Sequence, residues 1–435
     1  MMLPRAGRAL ASANFRLFFG GQLISLCGTW LQQVAMTWLV WEMTGSKWLL
    51  GLVAFSGQIP TLFLSPIAGA LTETWDRRKA LLITQTLAML QALAVAALTL
   101  TDTVRVEYII PLAIFLGAVN AFDMPIRQAF LTQMIDRRED LPNAIALNSS
   151  MVNSARLVGP AIAGLLITLV GEGWCFLLNG LSYLAVLAAL AAMRINRPVI
   201  DAPRARVWEA LHGGFSYAFR SVPIRSLLTL LATVSLTGIP LNVLMPVFAS
   251  EVLGGDAGTL GMLTTSTGVG ALTSAVYLAS RKSIVGLGLQ IGLAAGGLGI
   301  AMICFSFSHH LFLSMGILIA SGFCMMLQMA ASNTLLQTIV DENMRGRVMG
   351  LYAMSLLGVA PIGSLMAGAL AQAIGAPTTI LICGSACCVS GLMFLARLKT
   401  IREHARPIYV RLGIIPEIAT ALQQTSQMNV PPQRS

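Results

Sequence analysis

Apolar residues run in long blocks along this chain, broken at intervals by short clusters of charged and turn-forming residues. A helix needs about 20 mostly apolar residues to cross a bilayer, and dividing the chain at its breaks predicts twelve such spans. Their limits are 15–41, 48–71, 80–100, 107–131, 143–169, 174–193, 224–250, 257–280, 284–306, 311–337, 347–372 and 377–396. The first block follows Arg5, Arg8 and Arg16 but runs on to about Trp41, too long for a cleavable signal. The first span is therefore expected to stay in the mature protein.

Composition agrees with this division. Of 435 residues, 56% are apolar and 40 are glycine, while only 11% are charged, against about 25% in an ordinary soluble domain. So little charge cannot cover a water-facing surface, which excludes disordered and most soluble classes. The net charge of +10 does not point to nucleic acid, because the basic residues lie in short clusters between apolar runs and not on one solvated face. The lipid bilayer is the expected partner. Seven cysteines lie in or at the ends of the apolar runs without metal-ligand spacing, so they are expected to be small apolar fillers. No metal or cofactor is expected, and the chain is expected to be monomeric.

With both termini on one side, 25 of the 28 basic residues fall on that side, Arg127 among them, against Lys47 and Arg105 on the other; Arg156 alone is left inside a span. Positive residues stay cytoplasmic, so both termini should face the cytoplasm. The expected organisation is a cytoplasmic N-terminus (1–14), a six-helix half (15–193), a cytoplasmic linker (194–223), a second six-helix half (224–396) and a cytoplasmic tail (397–435). In the linker, Trp208, Leu211, Phe215 and Phe219 recur at helical spacing, which fits either a helix on the membrane surface or a solvated helix against the protein. The tail starts basic and ends in Gln, Ser, Asn and Pro. It is expected to touch the membrane first and then to be disordered.

The halves repeat. Gln133-Met-Ile-Asp136 leads into Gly159-Pro-Ala-Ile-Ala-Gly164, and Thr338-Ile-Val-Asp341 leads into Gly363-Ser-Leu-Met-Ala-Gly368, while Arg77-Arg78 recurs as Arg281-Lys282. The offsets are 205, 204 and 204 residues. One spacing at three landmarks implies two parallel six-helix halves, the arrangement of a transporter that rocks about a site near the bilayer midplane.

Five segments carry a family likeness: Gly69-Ala-Leu-Thr-Glu-Thr-Trp-Asp-Arg-Arg78, Asn120-Ala-Phe-Asp-Met-Pro-Ile-Arg-Gln128, Leu141 to Ala146, Arg156-Leu-Val-Gly-Pro160 and Arg345-Gly-Arg347. Over residues 14–396 the chain resembles the major facilitator superfamily, and within it the bacterial exporter branch that includes the enterobactin exporter and the transmembrane secretion effectors. The resemblance implies an all-α membrane fold of twelve helices with spans 1, 4, 7 and 10 around a central cavity. It implies that Glu73 packs against spans 11 and 4 to close the cytoplasmic side, with Asp76, Arg77 and Arg78 in the same gating loop. That loop departs from the superfamily pattern, in which an Asp-Arg pair follows the first glycine; here Glu73 and Thr74 stand there. Gly159, Pro160 and Gly164 resemble the packing motif of antiporters.

Catalytic chemistry is missing from the pattern. Gly45-Ser46-Lys47 lacks the rest of a phosphate-binding loop, and all four histidines fall in loops or the tail, so no enzyme is expected. Intramembrane ionisable residues remain, each costing about 2.5 to 3.5 kcal/mol on insertion scales and therefore functional by default. Asn120, Asp123 and Arg127 share one face of span 4, and Ser149, Asn153 and Arg156 one face of span 5. By rise per residue Asp123 and Arg156 lie roughly 13 and 20 Å deep, near enough for an arginine to reach the aspartate, so they are expected to pair in at least one state. The pair is either proton-coupling or structural. Candidate cavity groups are Gln32, Gln33 and Thr37 of span 1, Asn120 of span 4, Asn242 of span 7, and Gln328 and Asn333 of span 10, beside methionines and aromatics. Such a mixture suits an amphipathic ligand, and it also suits helix packing.

The expected function is a proton-driven exporter of a small organic molecule, a siderophore or an amphipathic drug, in the bacterial inner membrane. A lipid or lysolipid flippase of the same fold is one alternative, and a non-transporting membrane sensor or assembly partner is another.

Overall fold

The computed structural model describes residues 5–72, 75–194, 215–281, 283–342 and 344–411. Twelve long helices cross the apolar region: α1 Ala13–Thr44, α2 Lys47–Thr72, α3 Arg77–Leu100, α4 Val106–Leu131, α5 Leu141–Val170, α6 Glu172–Ala192, α7 Val222–Val252, α8 Ala257–Ser280, α9 Leu287–Ser306, α10 Leu311–Ile339, α11 Arg345–Ile374 and α12 Ala376–Ala396. Each contains its predicted span, apart from a start at Leu287 in place of residue 284 in α9 and an end at Ala192 in place of residue 193 in α6. Bilayers admit such helices because every backbone polar group is satisfied within the segment. Among the described residues eleven are apolar enough throughout to be recognised as spans; α8, rich in Gly, Thr and Ser, is the exception.

Packing explains α8. It lies between α5 of the first half and α10 of the second, and small side chains let both backbones approach. A Cβ on Gly164 would stand 2.9 Å from Gly261 Cα, and one on Gly268 would meet the Arg156 carbonyl at 3.1 Å. The second seam, between α2 and α11, repeats the device at Gly51 and Gly368. Thus Gly164 and its repeat counterpart Gly368 occupy matching places in the two seams that join the halves.

Two helices break. In α7 the regular helix ends at Gly238, short turns follow at Pro240 and Met245–Val247, and a π-helical turn covers Phe248–Val252. Pro240 and Pro246 lack the N–H that would continue the ladder. In α11 a π turn at Met354–Gly358 precedes Pro361, and the Ser235 hydroxyl of α7 donates to the Leu356 carbonyl at 2.5 Å, supplying a partner for that irregular turn.

The tail begins as a helix. Leu398–Arg411 forms a helix, α13, with Leu398, Ile401 and Ala405 buried against the second half. Its Arg411 reaches Asp341 at 2.6 Å, and the Tyr217 hydroxyl donates to the other Asp341 oxygen at 3.0 Å. These two hydrogen bonds hold the Asp341 carboxyl below its usual range. Of the linker, Phe215–Arg220 is helical, with Phe215 and Phe219 stacked at 6.0 Å. Trp208, Leu211, Glu73, Lys282 and the tail beyond Arg411 lie outside the described residues.

Candidate functional site in the membrane interior

Asp123 is 2% exposed. Its carboxylate accepts from Thr84 Oγ1 at 2.8 Å and from Gln85 Nε2 at 2.7 Å, both of α3, and forms an ion pair with Arg127 one turn along α4. Arg127, counted above among the basic residues of the cytoplasmic side, is thus the partner of the aspartate inside α4. The i,i+4 spacing brings the two side chains together on one helix face. Asn120, a turn away in the other direction, is exposed.

Arg156 does not meet Asp123 in this conformation. Its guanidinium carbon lies 5.1 Å from the centre of the Trp30 ring, and its Nε is buried without a hydrogen-bond partner. Gly159, one turn on, makes this possible: a Cβ there would fall 2.5 Å from Trp30 Cβ, so only glycine lets α1 bring the indole against α5. Among the described residues no carboxylate lies within ion-pair distance of Arg156.

The cavity candidates separate. Gln32 is buried and takes part in a chain across three helices, donating to Gln91 Oε1 at 3.0 Å and accepting from Asn179 Nδ2 at 2.6 Å. Both ends of its amide are occupied, so it ties α1, α3 and α6 together and does not line open space. Gln33, Asn120 and Asn242 are exposed, and Thr37 is half-buried with its hydroxyl on the Val34 carbonyl. Asn333 accepts from Gln337 at 2.7 Å. Gln328 and Ser332 are wholly buried in α10, and both polar atoms of the amide lack a hydrogen-bond partner.

The residues that open α3 serve the helix ends of the first half. The Asp76 carboxylate caps α3 by accepting from the Lys79 N–H. Arg77 donates to the Ala129 carbonyl near the end of α4, and Arg78 to the Leu190 and Ala191 carbonyls at the end of α6, both at 2.7 Å. Cations suit helix C-termini, where carbonyls are left without intrahelical partners. The repeat partner Arg281 instead folds back on the Val285 carbonyl of its own loop.

One cavity was not visible in the spacing. About 320 Å³ lies between α7, α11 and the Phe215–Arg220 helix, on the side where α1 begins and α13 lies. Arg225, Thr229 and Thr233 line it at successive turns of α7, Met354 and Ser355 come from the π turn of α11, and Phe215 and Phe219 form its apolar lip. The i, i+4, i+8 recurrence in span 7 is the signal that could have revealed it.

At the opposite side the halves are tied together. Lys47 Nζ pairs with Glu251 at 2.8 Å, the Trp41 indole N–H donates to Ser250 Oγ at 2.7 Å, and Gln372 Oε1 accepts from the backbone N–H groups of Lys47 and Trp48.

A family model described as transmembrane secretion effector matches residues 8–427. The staphyloferrin A transporter of Staphylococcus aureus is 26% identical over 390 residues, covering 88% of this chain and 96% of the relative. A multidrug efflux pump of Mycolicibacterium fortuitum is 27% identical over 392 residues, covering 87% and 95%. In fold, the chain resembles the crystal structure of a bacterial homologue of the human lysosomal transporter Spinster, inward-facing and unoccupied. There the TM-score is 0.66 at 13% identity, with 93% of this chain and 99% of that one covered. The twelve-helix, two-half architecture and the match along nearly the whole chain make this protein a member of the transmembrane secretion effector family of major facilitator transporters.

Proposed function

We propose that this protein is a proton-driven exporter of a small organic molecule, working by alternating access in the bacterial inner membrane with both termini in the cytoplasm. The observation that carries the proposal is Asp123: a carboxylate inside the membrane, held by one arginine and two neutral donors. Such a group can exchange a proton when its cation moves away, and a shift of α5 against α4 within the first half, accompanying the rocking, changes which cation it meets. Arg127 is its partner here, and Arg156 on the neighbouring face is its partner in the alternate state. The cavity beside α7 and α11 opens on the terminal side while the contacts around Lys47 tie the opposite side, an arrangement that receives cargo from the cytoplasm. Seams of small residues at Gly164 and Gly368 let the halves roll without losing contact. Staphyloferrin A transport by one relative and multidrug efflux by another support a cargo of that size.

Uptake of a fluorescent solute into inverted vesicles tests this. Accumulation that a protonophore abolishes is expected; accumulation that persists, or none in vesicles shown to hold the folded protein, refutes it.

A further inference from the structure

Among the described residues the charges inside the membrane do not balance. Asp123 is satisfied by Arg127, Thr84 and Gln85. The other acidic side chains in the described spans, Glu42, Glu107, Glu172 and Glu251, stand at or near the ends of their helices on the side away from the termini. Arg156 therefore carries an unneutralised positive charge in the interior, resting on the Trp30 ring. A ring face attracts a cation, yet it does not cancel the charge, and a cation deep in a low-dielectric medium favours an anionic partner.

The cavity beside α7 repeats that bias. Its walls are apolar at Leu228, Leu351 and Met354, and hydroxyls are set at Thr229, Thr233 and Ser355. Its charged lining residue is Arg225, in the first turn of α7, which is exposed and makes no ion pair among the described residues. Apolar walls below a cation at the mouth fit a molecule with an apolar body and an anionic head. A cavity built for cationic solutes would present an available carboxylate, and none lines this one.

We infer that the cargo is an amphipathic organic anion, received in the cavity between α7 and α11 with its charge at Arg225. This deepens the exporter proposal and rests on it for direction only; binding is measured without transport. The probes are dansyl-phenylalanine and its uncharged carboxamide, which differ only in the carboxylate. Their equilibrium binding is measured on the purified full-length protein in phosphatidylcholine nanodiscs. The acid is expected to bind at least about tenfold more tightly than the amide, since a lost charged hydrogen bond carries that scale. Arg225→Gln should bring the acid down to the level of the amide and leave the amide unchanged, while Arg225→Lys retains most of the preference. Arg225 is exposed, so its variants should fold as the wild type does and the comparison stands on binding alone. Equal binding of the two probes by the wild type, no binding of the acid, or an equal loss of both in Arg225→Gln overturns the inference. Displacement of the acid by phosphatidylglycerol in the disc overturns it in favour of a lipid occupant. Proton-driven transport without charge preference would sink this inference and spare the exporter proposal; charge-selective binding without transport would do the reverse.

Discussion

Gly164 of α5 and Gly261 of α8 touch backbone to backbone: a Cβ on the first would lie 2.9 Å from the Cα of the second, and a Cβ on the second 2.7 Å from the Cα of the first. No flexible side-chain end is available to move aside. Gly164→Val is therefore expected to cost about 1 to 3 kcal/mol through overpacking and to slow transport more than Gly164→Ala does. Gly368→Val, in the matching seam against Gly51, should behave alike. Thermal unfolding and vesicle uptake of the two variants check this; a neutral Gly164→Val would mean that the seam opens more widely than its contacts indicate.

Asp123→Asn separates coupling from scaffolding. As a coupling group it should leave folded protein that binds and exchanges cargo but does not accumulate it against a gradient. As a purely structural partner it should unfold the protein by about 3 to 5 kcal/mol, the scale for breaking a buried pair, with partial recovery when Arg127 is also changed to Gln. The coupling outcome is expected, read as exchange against net accumulation in the same vesicles. Normal accumulation with full dependence on the pH gradient would remove Asp123 from the mechanism.

Lys47 and Glu251 meet across the halves at 2.8 Å, on the side opposite the termini. Cysteines at these two positions, in a background lacking the native cysteines and joined by a reducible bifunctional thiol reagent of the length the ion pair spans, should stop transport by at least about tenfold, with recovery on reduction; that is the signature of an interface that must part. Undiminished transport by the crosslinked protein would show that this side does not open.

Asp341 links the linker and the tail helix through Tyr217 and Arg411. Its depressed pKa means that the contact is fully present above the ordinary carboxylate range and is lost as pH falls through the lower, folded value. A spin label at His404 should be immobile at neutral pH and become mobile in acid, whereas in Asp341→Asn it should be mobile at both. These groups are largely exposed, so the effect on global stability should be small. A label equally immobile in the variant would show that the buried side chains of α13 hold the tail alone.

Orientation follows from the distribution of basic residues. A cysteine at Asp256 should react with an impermeant thiol reagent in intact cells, and one at Asp136 should not. Reversed labelling would invert the proposed topology and with it the direction of export.

The span limits, the two halves and the family were legible in the residues alone, because a bilayer imposes a length and an apolar composition on every segment that crosses it. The 204-residue offset between Gly164 and Gly368 likewise announced the symmetry that the two seams display. Which polar groups face one another was decided by the tertiary structure. Helical periodicity assigns a residue to a face, but the rotation and depth of neighbouring helices choose its partner. Asp123 had Arg127 and Arg156 within reach on paper; in the fold α3 supplies Thr84 and Gln85, Arg127 completes the set, and Trp30 occupies the face of Arg156. Gln32 and Gln33 are adjacent in sequence, yet helix rotation buries the first in an amide chain and exposes the second. The recurrence of Arg225, Thr229 and Thr233 marks one wall of the α7–α11 cavity, but the other wall needed both broken helices to be placed, since a π turn and the register of two distant segments set it.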